Sequence, residues 1–257
     1  MKRALLAVAL AATLGAKAAD EQPSLNMHFS IAVASSVTAD IVVPTRLDQP
    51  VRLRDRRSSV AIDVTLLDGA AVPATPADDD GRELVFRNAL PGADVSIRTT
   101  ERGFEDFTRY KQRPDREQAR YAIDLENAAG LRLVDDVLEV LDAAGAPRLR
   151  MKRPWVRGGD GVVHRLGVKV TGCAIDTSPV APWGRTPTPP GATRCLLTLD
   201  WSREGVQYPA LLDPGWTTTD EMSEGRYDAT LCPTVGGRAI VAGGLVDADL
   251  SLTSAEL

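Results

Sequence analysis

From Met27 to Asp213 the apolar residues of this chain recur at every second position rather than every third or fourth. Val60, Ile62, Val64 and Leu66 alternate with Ala61, Asp63 and Thr65, and Val95 and Ile97 with Ser96 and Arg98. Tyr121, Ile123 and Leu125 alternate with Ala122 and Asp124. The longest run joins Val162, His164, Leu166, Val168 and Val170, and a last one leads from Leu197, Leu199 and Trp201 to Tyr208, Ala210 and Leu212. Successive side chains on a strand point to opposite faces, so this period marks strands with one buried face and one wet face. No stretch carries the period of a long amphipathic helix; Asp115 to Ala122 is the one segment expected to form a helical turn.

Turn signals punctuate these runs at short intervals: Asp68-Gly69, Asp80-Gly81, Pro91-Gly92, Gly103, Ala129-Gly130, Gly145, Gly158-Gly159 and Glu204-Gly205. Many short strands separated in this way favour an antiparallel β-sandwich or meander over βαβ units. The expected fold class is all-β. Aromatic residues are only 5% of the chain, so Val, Leu and Ala must fill the layers.

Ahead of the alternating region, Lys2 and Arg3 precede an apolar run from Ala4 to Gly15, and Ala16-Lys17-Ala18 fits a small-x-small cleavage site. This is the layout of a secretory signal peptide over residues 1–18, cleaved after Ala18 or Ala19. The run is shorter than the roughly 20 residues of a spanning helix, so no membrane span is expected after cleavage. The first cysteine is Cys173, which argues against lipid attachment at the cleavage site. The expected location is secreted, periplasmic or at the cell surface. The formal net charge is −5, and loss of Lys2, Arg3 and Lys17 makes it more negative. An acidic chain is poorly suited to coating a polyanion, and no nucleic-acid partner is expected.

Cys173 and Cys195 flank a proline-rich stretch between two strand-like segments. In an oxidising compartment they are expected to form a disulfide, worth about 3 kcal/mol for a loop of about twenty residues. Two unrelated buried thiols are the alternative. Cys232, near the C-terminus, is read as a small buried apolar residue.

The chemistry-bearing residues are few. His164 alternates with Val162 and Leu166 and reads as a core or rim histidine, and His28 lies close to the cleavage site. The run Asp78-Asp79-Asp80 follows Pro73 and Pro76 and reads as a solvated hairpin tip; consecutive carboxylates in a loop do not converge on calcium without further ligands. There is no His-x-x-x-His, Cys-x-x-Cys or Gly-x-Ser-x-Gly pattern, so no catalytic, metal or cofactor-binding residue is assigned and no cofactor is expected.

Two resemblances organise the rest. Phe86-Arg-Asn-Ala-Leu-Pro-Gly-Ala-Asp94, Glu101 to Phe107, Gly130-Leu-Arg-Leu, Leu141-Asp-Ala-Ala-Gly145 and Tyr208-Pro-Ala-Leu-Leu-Asp-Pro214 occur in that order. Together they look like the β-rich N-terminal module of large secreted bacterial proteins, with Phe104-Glu-Asp-Phe in place of the usual lysine-containing turn. Tyr208 is expected to bury its ring while its hydroxyl finds a backbone partner, and Asp213-Pro214-Gly215 to end the module near Trp216. Thr217 to Asp220 then reads as a linker.

Further on, Arg226-Tyr-Asp-Ala-Thr-Leu, Gly236-Gly-Arg-Ala-Ile-Val-Ala-Gly-Gly244 and Ser254-Ala-Glu-Leu257 resemble one kelch repeat, the blade unit of a β-propeller. The resemblance gives Arg226, Gly236, Gly237, Gly243 and Gly244 structural roles. Gly236-Gly237 would turn a hairpin, and Gly243-Gly244 would supply positive φ and close packing. The chain stops before the Tyr-Asp-Pro turn that normally follows, so residues 217–257 read as an incomplete blade. One blade cannot bury its own faces. The division expected is therefore a signal peptide over 1–18, a β-rich module over 19–216 and a partial kelch-type unit over 217–257. The family implies protein or glycan ligands held by propeller loops, and the expected role is an exported, non-catalytic binding or surface protein. The alternatives are an N-terminal piece of a propeller enzyme, carbohydrate-active or like galactose oxidase, or a truncated product without independent function. For the oxidase, Tyr227 and Cys232 lack accompanying histidines.

Overall fold

The computed structural model describes residues 31–32, 38–77, 80–180, 182, 185–219, 226–233, 239–247 and 250–256. The signal-peptide segment 1–18, His28, Asp78, Asp79, Gly236, Gly237 and Leu257 lie outside the described residues. Among the described residues every regular element is a strand, and the paired strands are antiparallel.

A seven-stranded sheet runs in the order β1 (Ile31–Ala32), β2 (Ala39–Val43), β3 (Val51–Asp55), β4 (Ala61–Leu66), β9 (Gln118–Glu126), β16 (Arg194–Asp200) and β15 (Gly167–Thr171). A larger sheet holds β10 (Gly130–Val134), β11 (Val137–Leu141), β12 (Pro147–Met151), β18 (Trp216–Thr218), β8 (Gly103–Tyr110), β17 (Ala210–Asp213), β13 (Trp155–Arg157) and β14 (Val163–Arg165) in that order. Strands β7 (Ala93–Thr99), β6 (Glu83–Leu90) and β5 (Thr75–Pro76) continue this sheet from the other side of β8. The sheets face one another through β2 and β3 on one side and β8, β12 and β18 on the other.

The alternation read from sequence supplies the layer between them. Leu53, Ile62, Tyr121 and Leu197 point inward from the first sheet, and Phe104, Leu149, Leu212 and Trp216 from the second; all are buried in one continuous core. Burying a Leu or Phe side chain contributes about 1.5–3 kcal/mol, so this layer is the main source of stability. Phe104 and Trp216 lie directly opposite on β8 and β18, with ring centroids 6.4 Å apart and near-parallel planes. Trp201 packs against Tyr110 at 5.5 Å.

Strand β8 organises the larger sheet. Along one edge it pairs with β17 (Leu212↔Thr108) and then with β18 (Trp216↔Phe104) in a single register, interrupted only at Asp213-Pro214-Gly215. Pro214 has no N–H to give the ladder, so the interruption falls where the chain cannot pair. Strands β12 and β13 run alongside in the same way, but Lys152-Arg153-Pro154 inserts one extra residue between them relative to β18 and β17. Such a bulge re-aims the side chains that follow it.

Four expectations are corrected here. Asp115 to Ala122 forms no helical turn; Gln118 onward is β9, held between β4 and β16. Phe104-Glu-Asp-Phe, aligned with a turn of the secreted module, lies within the central strand β8. The run Val162 to Val170 is not one strand: β14 belongs to the larger sheet and β15 to the smaller, and the chain crosses between them at the buried Leu166. Thr217 and Thr218, read as the start of a linker, form β18 between β12 and β8.

After β18, strands β19 (Thr230–Pro233), β20 (Ala239–Ala242) and β23 (Ala255–Glu256) form a separate three-stranded sheet, and β21 (Leu245–Asp247) pairs with β22 (Leu250–Ser251). No strand of this unit pairs with either larger sheet among the described residues.

Candidate functional site

The outer faces of the two large sheets differ in how their charges are spent. On the smaller sheet, Arg52 meets Asp63 at 3.0 Å, Arg194 meets Asp124 at 2.6 Å and Arg120 meets Asp68 at 2.6 Å. Exposed pairs of this kind stabilise little. They do leave that face largely self-neutralised.

The larger sheet is different. Leu149 and Met151 of β12 face the core, so Arg148, Arg150 and, just beyond, Lys152 face outward; the bulge at Arg153-Pro154 then turns Trp155 and Arg157 to the same side. A groove of about 860 Å³ lies along this face. Its charged lining is five cations, Arg132, Arg150, Lys152, Arg153 and Arg165, against Asp135 and Glu139. Glu139 is buried and shared by Arg132 and Arg150, each at 2.7 Å. Arg153 Nε donates to the Asp135 carbonyl at 2.6 Å. Lys152 and Arg165 form no ion pair among the described residues. Trp155 and three valines, Val134, Val137 and Val163, supply the apolar part of the lining, and the Arg157 guanidinium sits 5.2 Å from the Trp155 ring centroid.

The disulfide loop braces one of the groove's arginines. Cys173 and Cys195 are bonded, with Cα atoms 5.4 Å apart, as the sequence predicts. The chain they close folds back on the edge strand β10: Leu133 N–H donates to the Asp176 carbonyl at 2.9 Å, and Arg132 donates to the Ser178 and Pro179 carbonyls at 3.3 and 3.2 Å. The loop thus covers an otherwise open sheet edge and fixes the Arg132 guanidinium.

Two aspartates of the larger sheet are buried. Asp213 is directly opposite Trp155 and is 8% exposed. Burial pushes its carboxyl up to about 6, and Glu105 adds to this while Lys152 opposes it. Asp106, on the inner face of β8, is 3% exposed and is pushed up to about 7, chiefly by burial, with Tyr121 opposing and Asp213 adding. Tyr121 and Tyr110 are both raised, first by burial and then by Asp106. Thr108 Oγ1 and Trp216 Nε1 are buried with no hydrogen-bond partner among the described residues. Groups of this kind are costly in a dry interior, and they form the polar seam of this core.

No known protein family, curated protein or solved structure matches the chain.

The residues singled out from sequence fall outside this groove. Arg226 Nη1 donates to the Gly243 carbonyl at 3.2 Å and the Ser254 carbonyl at 3.1 Å, drawing together three segments of the C-terminal unit. Gly243 and Gly244 have φ of 65° and 94°, and a Cβ on Gly244 would lie 2.7 Å from the Tyr227 carbonyl. Cys232 is not buried: β19 is exposed along its whole length, and the thiol is exposed with it. Tyr208 places its hydroxyl on side chains, Glu117 and Trp201, rather than on backbone. His164 is a rim residue, its Nδ1 3.5 Å from Glu204 Oε2. Among the described residues no group of three or more His, Cys, Asp or Glu is placed to hold a metal ion.

Sequence reasoning missed the groove. Its one local signal is Arg148-Leu-Arg-Met-Lys152, where cations and apolar residues alternate on opposite faces. Arg132, Arg165 and Trp155 join it only through strand pairing.

Proposed function

We propose that this chain is an exported, non-catalytic binding protein in which a β-sandwich module leads into a kelch-type propeller unit. The observation that carries the reading is the Cys173–Cys195 bridge, since disulfides persist where the environment is oxidising. The signal-peptide layout of residues 1–18 agrees with it. The propeller part is supported by the Arg226 contacts to Gly243 and Ser254. Leu231 and Ile240, 66% and 37% exposed, are the kind of apolar side chain that a blade lays against its neighbour.

The test is to express the full chain with its own N-terminus in a Gram-negative host and fractionate the cells. The expected product lies in the periplasm or medium, begins at Ala19 or Asp20, and carries one alkylatable thiol, Cys232. Protein retained in the cytoplasm, with an intact N-terminus and three reactive thiols, would overturn the reading.

A further inference from the structure

We infer that the basic groove on the outer face of the larger sheet binds an acidic oligosaccharide, one bearing carboxylates or sulfates along its length. The inference rests on the reading of the chain as an exported binding protein. It places a ligand on the sandwich module rather than on propeller loops.

Charge complementarity is the first argument. The chain as a whole is acidic, yet this groove gathers five cations against two carboxylates, and one of those, Glu139, is already held between Arg132 and Arg150. Arg165 makes no ion pair among the described residues, and Lys152 acts on the buried Asp213 carboxyl. A guanidinium presents parallel N–H donors that match a carboxylate or sulfate in two-point contact, so the site is built for oxyanions. Two such groups are held in place: Arg132 by the disulfide loop and Arg153 by the Asp135 carbonyl.

The second argument is the apolar lining. Trp155 and Val163 lie among the cations, and a ring that is amphipathic at its edge and apolar on its face suits a pyranose, whose C–H groups are apolar and whose hydroxyls are polar. The volume of about 860 Å³ sits toward the upper end of ordinary ligand sites and accommodates more than one sugar ring.

Competing polyanions fit less well. Single-stranded nucleic acid binds on rows of aromatic side chains that stack successive bases, and this groove has one, Trp155. An acidic peptide gains affinity by adding a strand to a sheet edge, whereas most of the groove lies on a sheet face.

The experiment uses the full, disulfide-bonded chain and isothermal titration against four probes: hexagalacturonate, a sulfated dextran oligosaccharide, a neutral dextran oligosaccharide and an oligo-dT single strand, with a hexaglutamate peptide as a fifth. Binding is expected for the acidic oligosaccharides, weaker at higher salt, and absent for neutral dextran. Comparison of hexagalacturonate with the sulfated probe separates the carboxylate from the sulfate source. Arg165→Ala and Lys152→Ala should each weaken binding at least tenfold without changing the melting temperature by more than a few degrees, and Trp155→Ala should weaken it with little change in salt dependence. The proposal is overturned if the acidic oligosaccharides do not bind. It also fails if oligo-dT or hexaglutamate binds as tightly, or if Arg165→Ala and Lys152→Ala both bind like the parent. Cell fractionation decides the export reading separately: exported protein that binds no acidic sugar removes the groove proposal alone, and cytoplasmic protein that does bind removes export alone.

Discussion

The Tyr208 hydroxyl donates to Glu117 Oε1 at 2.9 Å while accepting from Trp201 Nε1 at 2.9 Å. Glu117 is buried, and its other oxygen takes the Arg113 guanidinium at 2.6 Å. One phenol therefore satisfies a buried carboxylate and a fully buried indole. Burial, opposed by Trp201 and reinforced by Glu117, pushes its pKa up to about 12, so it remains a donor at every physiological pH. Tyr208→Phe should leave both partners unsatisfied and lower stability by about 1–3 kcal/mol. Arg113→Ala should cost less, because that guanidinium is largely exposed. Urea denaturation of the two variants compares them directly, and equal losses would contradict the ranking.

Asp106 makes stability depend on pH with an unusual sign. Its folded pKa, about 7, lies above the ordinary 3.8, and Asp213 is shifted the same way to about 6. Between about pH 4 and pH 7 the folded state holds more protons than the unfolded one. The stability these groups contribute is thus complete below pH 4 and is lost as pH rises through 6 and 7. Asp106→Asn should flatten this dependence and stabilise the protein at pH 8 by on the order of 2–4 kcal/mol. Melting temperatures of parent and variant from pH 4 to 8 provide the check; parallel curves would show that Asp106 titrates normally.

Gly103 tolerates no side chain. A Cβ there would lie 2.7 Å from the Thr217 Cα and closer still to the Trp216 carbonyl, both backbone atoms of β18. Gly103→Ala must push β18 away from β8 and break the Phe104–Trp216 contact. The expected cost is on the order of 3–5 kcal/mol, seen as loss of soluble protein or a much lower denaturation midpoint. Gly161→Ala is a useful contrast. Nothing approaches its Cβ, and only its positive φ is strained.

Removing the disulfide should act on both fold and groove. Cys173→Ala with Cys195→Ala frees a closure spanning 22 positions, a loss of about 3 kcal/mol. The same change releases the loop that carries Ser178 and Pro179, the carbonyl partners of Arg132. Amide hydrogen exchange should rise at Leu133 and Asp176, which hydrogen-bond across this junction, before it rises in β8. Uniform loss of protection would mean that the loop and sheet open together.

Truncation after Thr219 should leave the main unfolding transition unchanged. Thr219 is anchored to the larger sheet through Pro147 and Arg148, and among the described residues the strands beyond it pair only with one another. Calorimetry of the full and shortened chains tests this; a lower midpoint for the shorter chain would reveal support from the C-terminal unit.

The period-two alternation was sufficient to call for an all-β chain, and turn signals such as Asp68, Gly92, Gly145 and Gly205 marked turns where φ is indeed positive. The Cys173–Cys195 pair and the conformations of Gly243 and Gly244 were also legible, because each depends on neighbours close in sequence or on a local backbone requirement. Cys232 misled because apolar character predicts burial only where a second layer exists to cover it.

Alternation states which side chains share a face, but not which sheet that face belongs to. Val162 to Val170 kept perfect period while crossing from one sheet to the other at Leu166, since each half still had a core side to turn toward. The groove was hidden for the same reason. Arg132, Lys152 and Arg165 are separated in sequence, and net charge averages over the surface, whereas strand order brings these cations together on one face of the larger sheet. Local periodicity therefore determined the strands and their buried sides; long-range pairing alone decided where the unspent charge would collect.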